Sequence, residues 1–276
     1  MTSPTLATLR RYAISRSLFT PTTLPEAIQR LGFVQADPIR APARAQDLIL
    51  RLRVKNYRDG DLERRYPKLD VEEDVLVNYG FLPRQHQQWL HPRQFEGNTR
   101  AEHHAPELAE AVLSHVLEHG PTHPRDLEAK LGSQTYANYW GGRSNATTGL
   151  LDSLHYRGQL RVVRRDKGTR VYGPAKLAHL AELGLSPEQQ LAGAARLILA
   201  LYAPLPEASF KQLLQMLRYG APPIAPLAEE QVRLGQALAG RGLVGNDRIG
   251  RDSLVAATSR GYGRQHPAAG QAISPI

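Results

Sequence analysis

The sequence predicts a mainly α fold with small β-hairpins. Apolar residues recur at helical spacing in several stretches, as at Leu150, Leu151 and Leu154. Those stretches end at Gly32, Gly120-Pro121, Gly132 and Gly158, residues that stop helices. Finally, Leu160–Val163 and Thr169–Tyr172 alternate like two strands around the turn Arg164-Arg165-Asp166-Lys167-Gly168.

In chain order, Thr5–Leu18 reads as an amphipathic helix with Leu6, Leu9, Tyr12 and Ala13 on its inner side. After Pro21-Thr22-Thr23, a second helix spans Leu24–Leu31, with Pro25 and Glu26 in its first turn. Phe33–Asp37 is extended, since Pro38 bars helical geometry before it. Ala43–Val54 is a third helix, carrying Leu48, Ile49 and Leu52 inward. Between Pro106 and Pro174, helices are expected at Glu107–His119, Pro124–Leu131 and Asn145–Arg157, followed by the hairpin. Helix, helix, helix, hairpin is the order of a winged helix-turn-helix. Pro187–Tyr202, Ser209–Arg218 and Pro226–Arg241 repeat the logic, with a small wing over Leu243–Val255 around Gly245-Asn246-Asp247. The expectation is therefore tandem winged helix-turn-helix units in one composite scaffold. The units are 1–105, 106–180 and 181–257, followed by a loose tail, 258–276.

At 276 residues, the chain is long enough for a sizeable core, and 41% apolar against 22% charged residues describes a globular protein. Thirty-five Lys plus Arg against 26 Asp plus Glu gives +9, a field that favours polyanionic partners. The absence of cysteine excludes disulfides, thiolate zinc sites and cysteine nucleophiles. No signal peptide and no apolar run of membrane-spanning length is read, so the expected location is cytoplasmic, with the nucleoid as the place of action.

The hairpin turn carries Arg164, Arg165 and Lys167, with Arg170 beside it, against Asp166 alone; Arg143 and Asn145 precede the third helix of that unit. These side chains suit phosphate and base-edge contacts. A second basic run, Arg40–Arg58, holds six cations against Asp47, and Arg40, Arg44 and Arg51 are its candidate DNA contacts. Just before it stands Val34-Gln35-Ala36-Asp37-Pro38. In an extended segment, Gln35 and Asp37 point the same way. A carboxylate beside an amide can orient a water, accept its proton or stabilise an oxocarbenium-like sugar; Asp before Pro is also a common turn former. His115 and His119 have the i, i+4 spacing of metal ligands, but no carboxylate completes a helical zinc motif, so no metal and no cofactor is expected.

One set of short motifs runs Leu31-Gly32-Phe33-Val34-Gln35-Ala36-Asp37, Ala43-Arg44, Asn56-Tyr57 and Phe81-Leu82-Pro83. It resumes at Gly120-Pro121, Tyr139-Trp140, and Gly158-Gln159-Leu160 through Arg170-Val171-Tyr172. In these motifs the sequence resembles the YcaQ/AlkZ family of bacterial DNA glycosylases, which unhook interstrand crosslinks and remove bulky N-alkylated purines. The resemblance implies tandem winged helices around a positive channel, with Gln35 positioning a water and Asp37 as base or electrostatic stabiliser. It also implies a monofunctional mechanism without Schiff base or metal. Val77-Asn78 stands where many members have a His-Glu pair, Gly142 stands where a second Trp usually follows, and the family's C-terminal Ser-Pro-Phe-Asp motif has no match. The expected partner is damaged double-stranded DNA, bound by a monomer with no membrane involved. The alternative is a non-catalytic winged-helix DNA-binding protein or transcription regulator.

Overall fold

Capping side chains set where the first helices begin. In the computed structural model, which describes residues 5–37, 39–93, 97, 99–137, 141–240 and 254–255, Thr5 accepts from the Thr8 N–H and opens α1 (Leu6–Ser17). Thr23 and Glu26 form a reciprocal capping box on α2 (Leu24–Leu31), and Gly32 closes it at φ 78°. An N-cap of this kind is worth about 1 kcal/mol. Leu24, Ala27 and Ile28 of α2 are buried. The expected inner face of α1 is only half covered: Leu9, Tyr12 and Ala13 are partly buried and Leu6 is exposed.

β1 (Val34–Gln35) follows, then α3 (Ala45–Arg51), which is shorter than the expected Ala43–Val54. Its inner face also differs. Leu50 is buried, whereas Leu48 and Leu52 are 44% and 61% exposed. Gln46 and Asp47 take the inner positions instead, because their polar atoms find partners there: Asp37 N–H on Gln46, and Tyr57 O–H and Gly60 N–H on Asp47.

Sequence patterning missed α4 (Asp61–Arg65) and the hairpin of β2 (Val71–Val75) and β3 (Tyr79–Pro83). Together with β1 this hairpin makes an antiparallel sheet in the order β1-β3-β2, with Val34 opposite Phe81 and Gln35 opposite Gly80. A Cβ at Gly80 would overlap the Phe33 ring and the Val34 carbonyl, so only glycine lets β1 approach this closely.

Next come α5 (Arg100–His104), α6 (Pro106–His119), α7 (Pro124–Leu131) and the short strands β4 (Thr135–Ala137) and β5 (Arg143–Asn145). α8 (Ala146–Tyr156), β6 (Leu160–Asp166) and β7 (Thr169–Pro174) follow. The expected order of three helices and a hairpin is present over Pro106–Pro174, with β4 and β5 inserted before the third helix. Thr122 adds a bridge to Tyr172 at the hairpin edge. α9 (Ala178–Glu182), α10 (Pro187–Tyr202), β8 (Leu205–Pro206), α11 (Glu207–Gln215), α12 (Leu217–Gly220) and α13 (Ala225–Gly240) complete the helices. β9 (Leu254–Val255) pairs with β8. The rest of the expected third wing, the tail 258–276, and Tyr139 and Trp140 lie outside the described residues. The fold is mostly helical with small antiparallel hairpins, as the sequence predicts.

Two apolar cores flank the sheet. One joins Ile28, Val34, Leu50, Tyr66 and Phe81 to Val112, Leu127, Leu150 and Val162. The other joins Phe33, Leu82 and Leu90 to Ile198, Leu217 and Ile224. Phe33 and Val34 are sequence neighbours that enter different cores, as are Phe81 and Leu82, because strand alternation sends them to opposite faces.

Candidate active site and basic surface

Gln35 sits on β1, an edge strand of this sheet. Val34 and Ala36 pack on the first core, so alternation turns Gln35 and Asp37 away from it. Gln35 is exposed, and its amide has no hydrogen-bond partner among the described residues; Asp37 is half-buried. Asp37 is pinned at two points. Its backbone N–H donates to Oε1 of the buried Gln46 at 3.1 Å, and its Oδ1 accepts from the Ile39 N–H at 2.8 Å. Oδ2 has no partner among the described residues. A polar cavity of about 250 Å³ lies beside β2, lined by Glu72, Asp74, Arg84, His91 and Arg161, and neither Gln35 nor Asp37 contributes to it.

The basic residues singled out from sequence fall into two groups. Arg44, Arg165 and Arg170 are bound inside the protein. Arg44 is 8% exposed and paired with Glu63; burial, reinforced by Arg40 and Arg165 nearby, pulls its pKa down. Its Nε has no partner among the described residues, and the hairpin turn rests on the guanidinium, since a Cβ at Gly168 would lie 3.0 Å from it. Arg165 grips the fully buried Glu73 with two bonds, Nε to Oε1 at 2.8 Å and Nη2 to Oε2 at 2.6 Å. Tyr79 donates its hydroxyl to the same carboxylate at 2.8 Å. Burial pushes the Glu73 carboxyl up, but Arg165, Arg170 and Tyr79 outweigh it and hold the pKa below its ordinary value. Arg170 bonds Asp152 at 2.8 Å and lies 4.3 Å over the Tyr79 ring.

Arg40, Arg51, Arg164 and Lys167 form the second group: exposed, with no ion pair among the described residues. Arg143 is also exposed, though its guanidinium ties β5 to β4 through Thr135 Oγ1 at 2.8 Å and Thr135 O at 3.1 Å. The Asn145 side chain caps α8 by accepting from the Thr148 N–H at 3.0 Å. His115 and His119 stack on the surface with ring centroids 4.2 Å apart. Among the described residues no three His, Asp or Glu side chains converge as a metal site would require.

Sequence reasoning passed over Gln46, Glu63, Glu73 and Tyr79. The one available signal was Glu72-Glu73-Asp74 between two valines, an acidic run that a strand tolerates only if every carboxylate is paired. Glu72 meets Arg84 and Arg161, Glu73 meets Arg165, and Asp74 meets His91 and Arg93.

These features define a mostly helical protein whose central sheet displays Gln35 at an exposed edge, with Asp37 two residues on and the exposed Arg40 close behind in the chain. The chain belongs to the AlkZ-like DNA glycosylase family: the model described as "DNA glycosylase AlkZ-like" matches residues 28–247. No curated protein and no solved structure matches it. The family resemblance read from the sequence is therefore correct, and the family places the chain among DNA repair hydrolases that act on DNA. Among the described residues no helix is long and apolar enough to cross a membrane.

Proposed function

We propose that the protein hydrolyses the N-glycosidic bond of N-alkylated or crosslinked purines in duplex DNA, with Gln35 and Asp37 as its catalytic residues. The observation that carries this reading is Gln35 on an exposed strand edge with Asp37 two residues on, one Asp37 oxygen held by the Ile39 N–H and the other without a partner among the described residues. An enclosed pocket would require the base to be extruded, which a crosslink or bulky adduct resists. An open edge does not.

In this mechanism Oδ2 of Asp37 holds a water and takes its proton, and the Gln35 amide fixes the same water. The water oxygen bonds to C1′ as the C1′–N9 bond breaks, and the bonding pair leaves with the base. A purine alkylated at N7 is already cationic, so it departs neutral without a strong general acid. No lysine Schiff base is needed, and the enzyme is monofunctional. Arg40, Arg51, Arg143, Arg164 and Lys167 contact phosphates, while Arg44, Arg165 and Arg170 hold the loop and hairpin that present them. The segments 1–105, 106–180 and 181–257 act as winged units on damaged DNA, α8 as a third helix and β6–β7 as its wing, and a monomer suffices.

The test is release of 7-methylguanine from methylated duplex DNA. Asp37→Asn should lower the rate by about 10²–10⁴-fold while DNA binding survives. Failure of the wild type to release any base from methylated or crosslinked DNA would falsify the proposal.

A further inference from the structure

Ile39 is 67% exposed, more than Leu6 or Leu52 at 61%. A single exposed aliphatic is unremarkable on a protein surface. This one is set apart by what holds it. Its N–H donates to Oδ1 of Asp37 at 2.8 Å, so its backbone is held against the carboxylate proposed to activate the attacking water. Asp37 is in turn pinned by Gln46. The next residue, Arg40, is exposed and lies near enough to Arg44 to depress its pKa, and Arg44 carries the hairpin turn with Lys167. An exposed aliphatic side chain therefore stands between the Asp37 carboxylate and an exposed cation along the chain.

Cations on phosphates with an aliphatic residue between them is the arrangement by which proteins wedge into a base stack. The reach also fits. The Ile39 nitrogen lies 2.8 Å from Asp37 Oδ1, less than one base step of about 3.4 Å, so its side chain is within reach of a step flanking the attacked nucleotide. We infer that Ile39 is a wedge: it enters the stack next to the lesion and opens the step, giving Asp37 and its water access to C1′ without extruding the base. This rests on the glycosylase reading above.

The experiment uses the full chain and duplexes carrying 2′-fluoro-7-methylguanosine, which resists hydrolysis, with 2-aminopurine at the step on either side. Binding of wild type should raise 2-aminopurine fluorescence several-fold on one side. Ile39→Ala should abolish the rise at saturating protein and leave the salt dependence of binding unchanged, since no charge is altered. Ile39→Leu should restore the rise. On hydrolysable DNA, Ile39→Ala should slow release from fully paired duplex and recover when the base opposite the lesion is removed, because the stack is then already open; a merely structural role would slow both substrates alike. An unchanged fluorescence rise with Ile39→Ala, or none with wild type, overturns the wedge. Absence of base release by wild type removes the glycosylase reading instead, and the fluorescence result still decides whether Ile39 opens the stack.

Discussion

At the residue scale, the candidate site depends on a side chain that does no chemistry. Gln46 is 2% exposed and accepts the Asp37 N–H. Gln46→Leu would leave that donor without an acceptor, at a cost of about 1–3 kcal/mol. The variant should melt lower and release base more slowly, whereas Gln46→Glu keeps an acceptor oxygen and should lose less of both. A thermal melt beside a release assay reads the two effects separately. His86 offers a second residue-level test. It is 5% exposed, its Nδ1 has no partner among the described residues, and burial pushes its pKa down to about 4. An unfolded chain takes up this proton near pH 6.5, the folded one only near 4, so unfolding binds a proton between them. Stability therefore falls as pH drops through 6.5 and reaches a deficit of about 3 kcal/mol at pH 4. His86→Gln should flatten that part of the curve, measured as urea midpoints across the interval. The extended placement of Gln35 and Asp37 was legible in the sequence because the signal is local, an alternation before proline, while their proposed role comes from the family resemblance. The state of each arginine was not legible. Whether Arg165 meets solvent or Glu73 depends on a partner 92 positions away.

At the element scale, helices with local punctuation were read closely. The Thr23–Glu26 and Ser186–Gln189 capping boxes and Gly32 and Gly158 mark ends within a few residues. The β2–β3 hairpin was invisible because Glu72-Glu73-Asp74 reads as a solvated stretch, and its burial is made possible by arginines from distant segments. β6–β7 docks on β2 through those ions, aided by the Tyr66 hydroxyl, which donates to Val162 O at 2.9 Å and accepts from Glu73 N–H at 3.1 Å. The hairpin is therefore anchored by its own basic residues, and fewer of them remain for a partner. Replacing Glu73 by Gln strips the charge facing Arg165 and should cost about 3–5 kcal/mol, seen as a lower denaturant midpoint with unchanged slope. Substituting both partners, Glu73→Leu with Arg165→Met, should recover much of that loss, because no buried charge is then left alone.

At the scale of the whole molecule, the sheet is the layer on which both cores meet, and Arg93 locks it to the third segment. Its guanidinium donates to Gly220 O at 2.6 Å, Val75 O at 2.7 Å and Tyr156 O at 3.0 Å, and pairs with Asp74 at 2.6 Å. Such ties commit buried cations to structure, so the 35 Lys plus Arg overstate the cations available to DNA. Five of the nine basic or polar residues singled out for DNA contact are exposed cations: Arg40, Arg51, Arg143, Arg164 and Lys167. Each phosphate neutralised contributes about 0.9 to the slope of log K against log salt, so full engagement of these five gives a slope of about −4.5. Neutralising Arg40 or Lys167 should reduce the slope by about 1, whatever the DNA sequence. Arg165→Gln should leave the slope of the folded protein unchanged and lower its stability, because its charge is spent on Glu73. Fluorescence anisotropy titrations over roughly 50–200 mM salt distinguish the groups. A slope that drops equally for Arg165→Gln and Lys167→Gln would mean that the internal pairs open on DNA and that the hairpin cations are shared between Glu73 and phosphate.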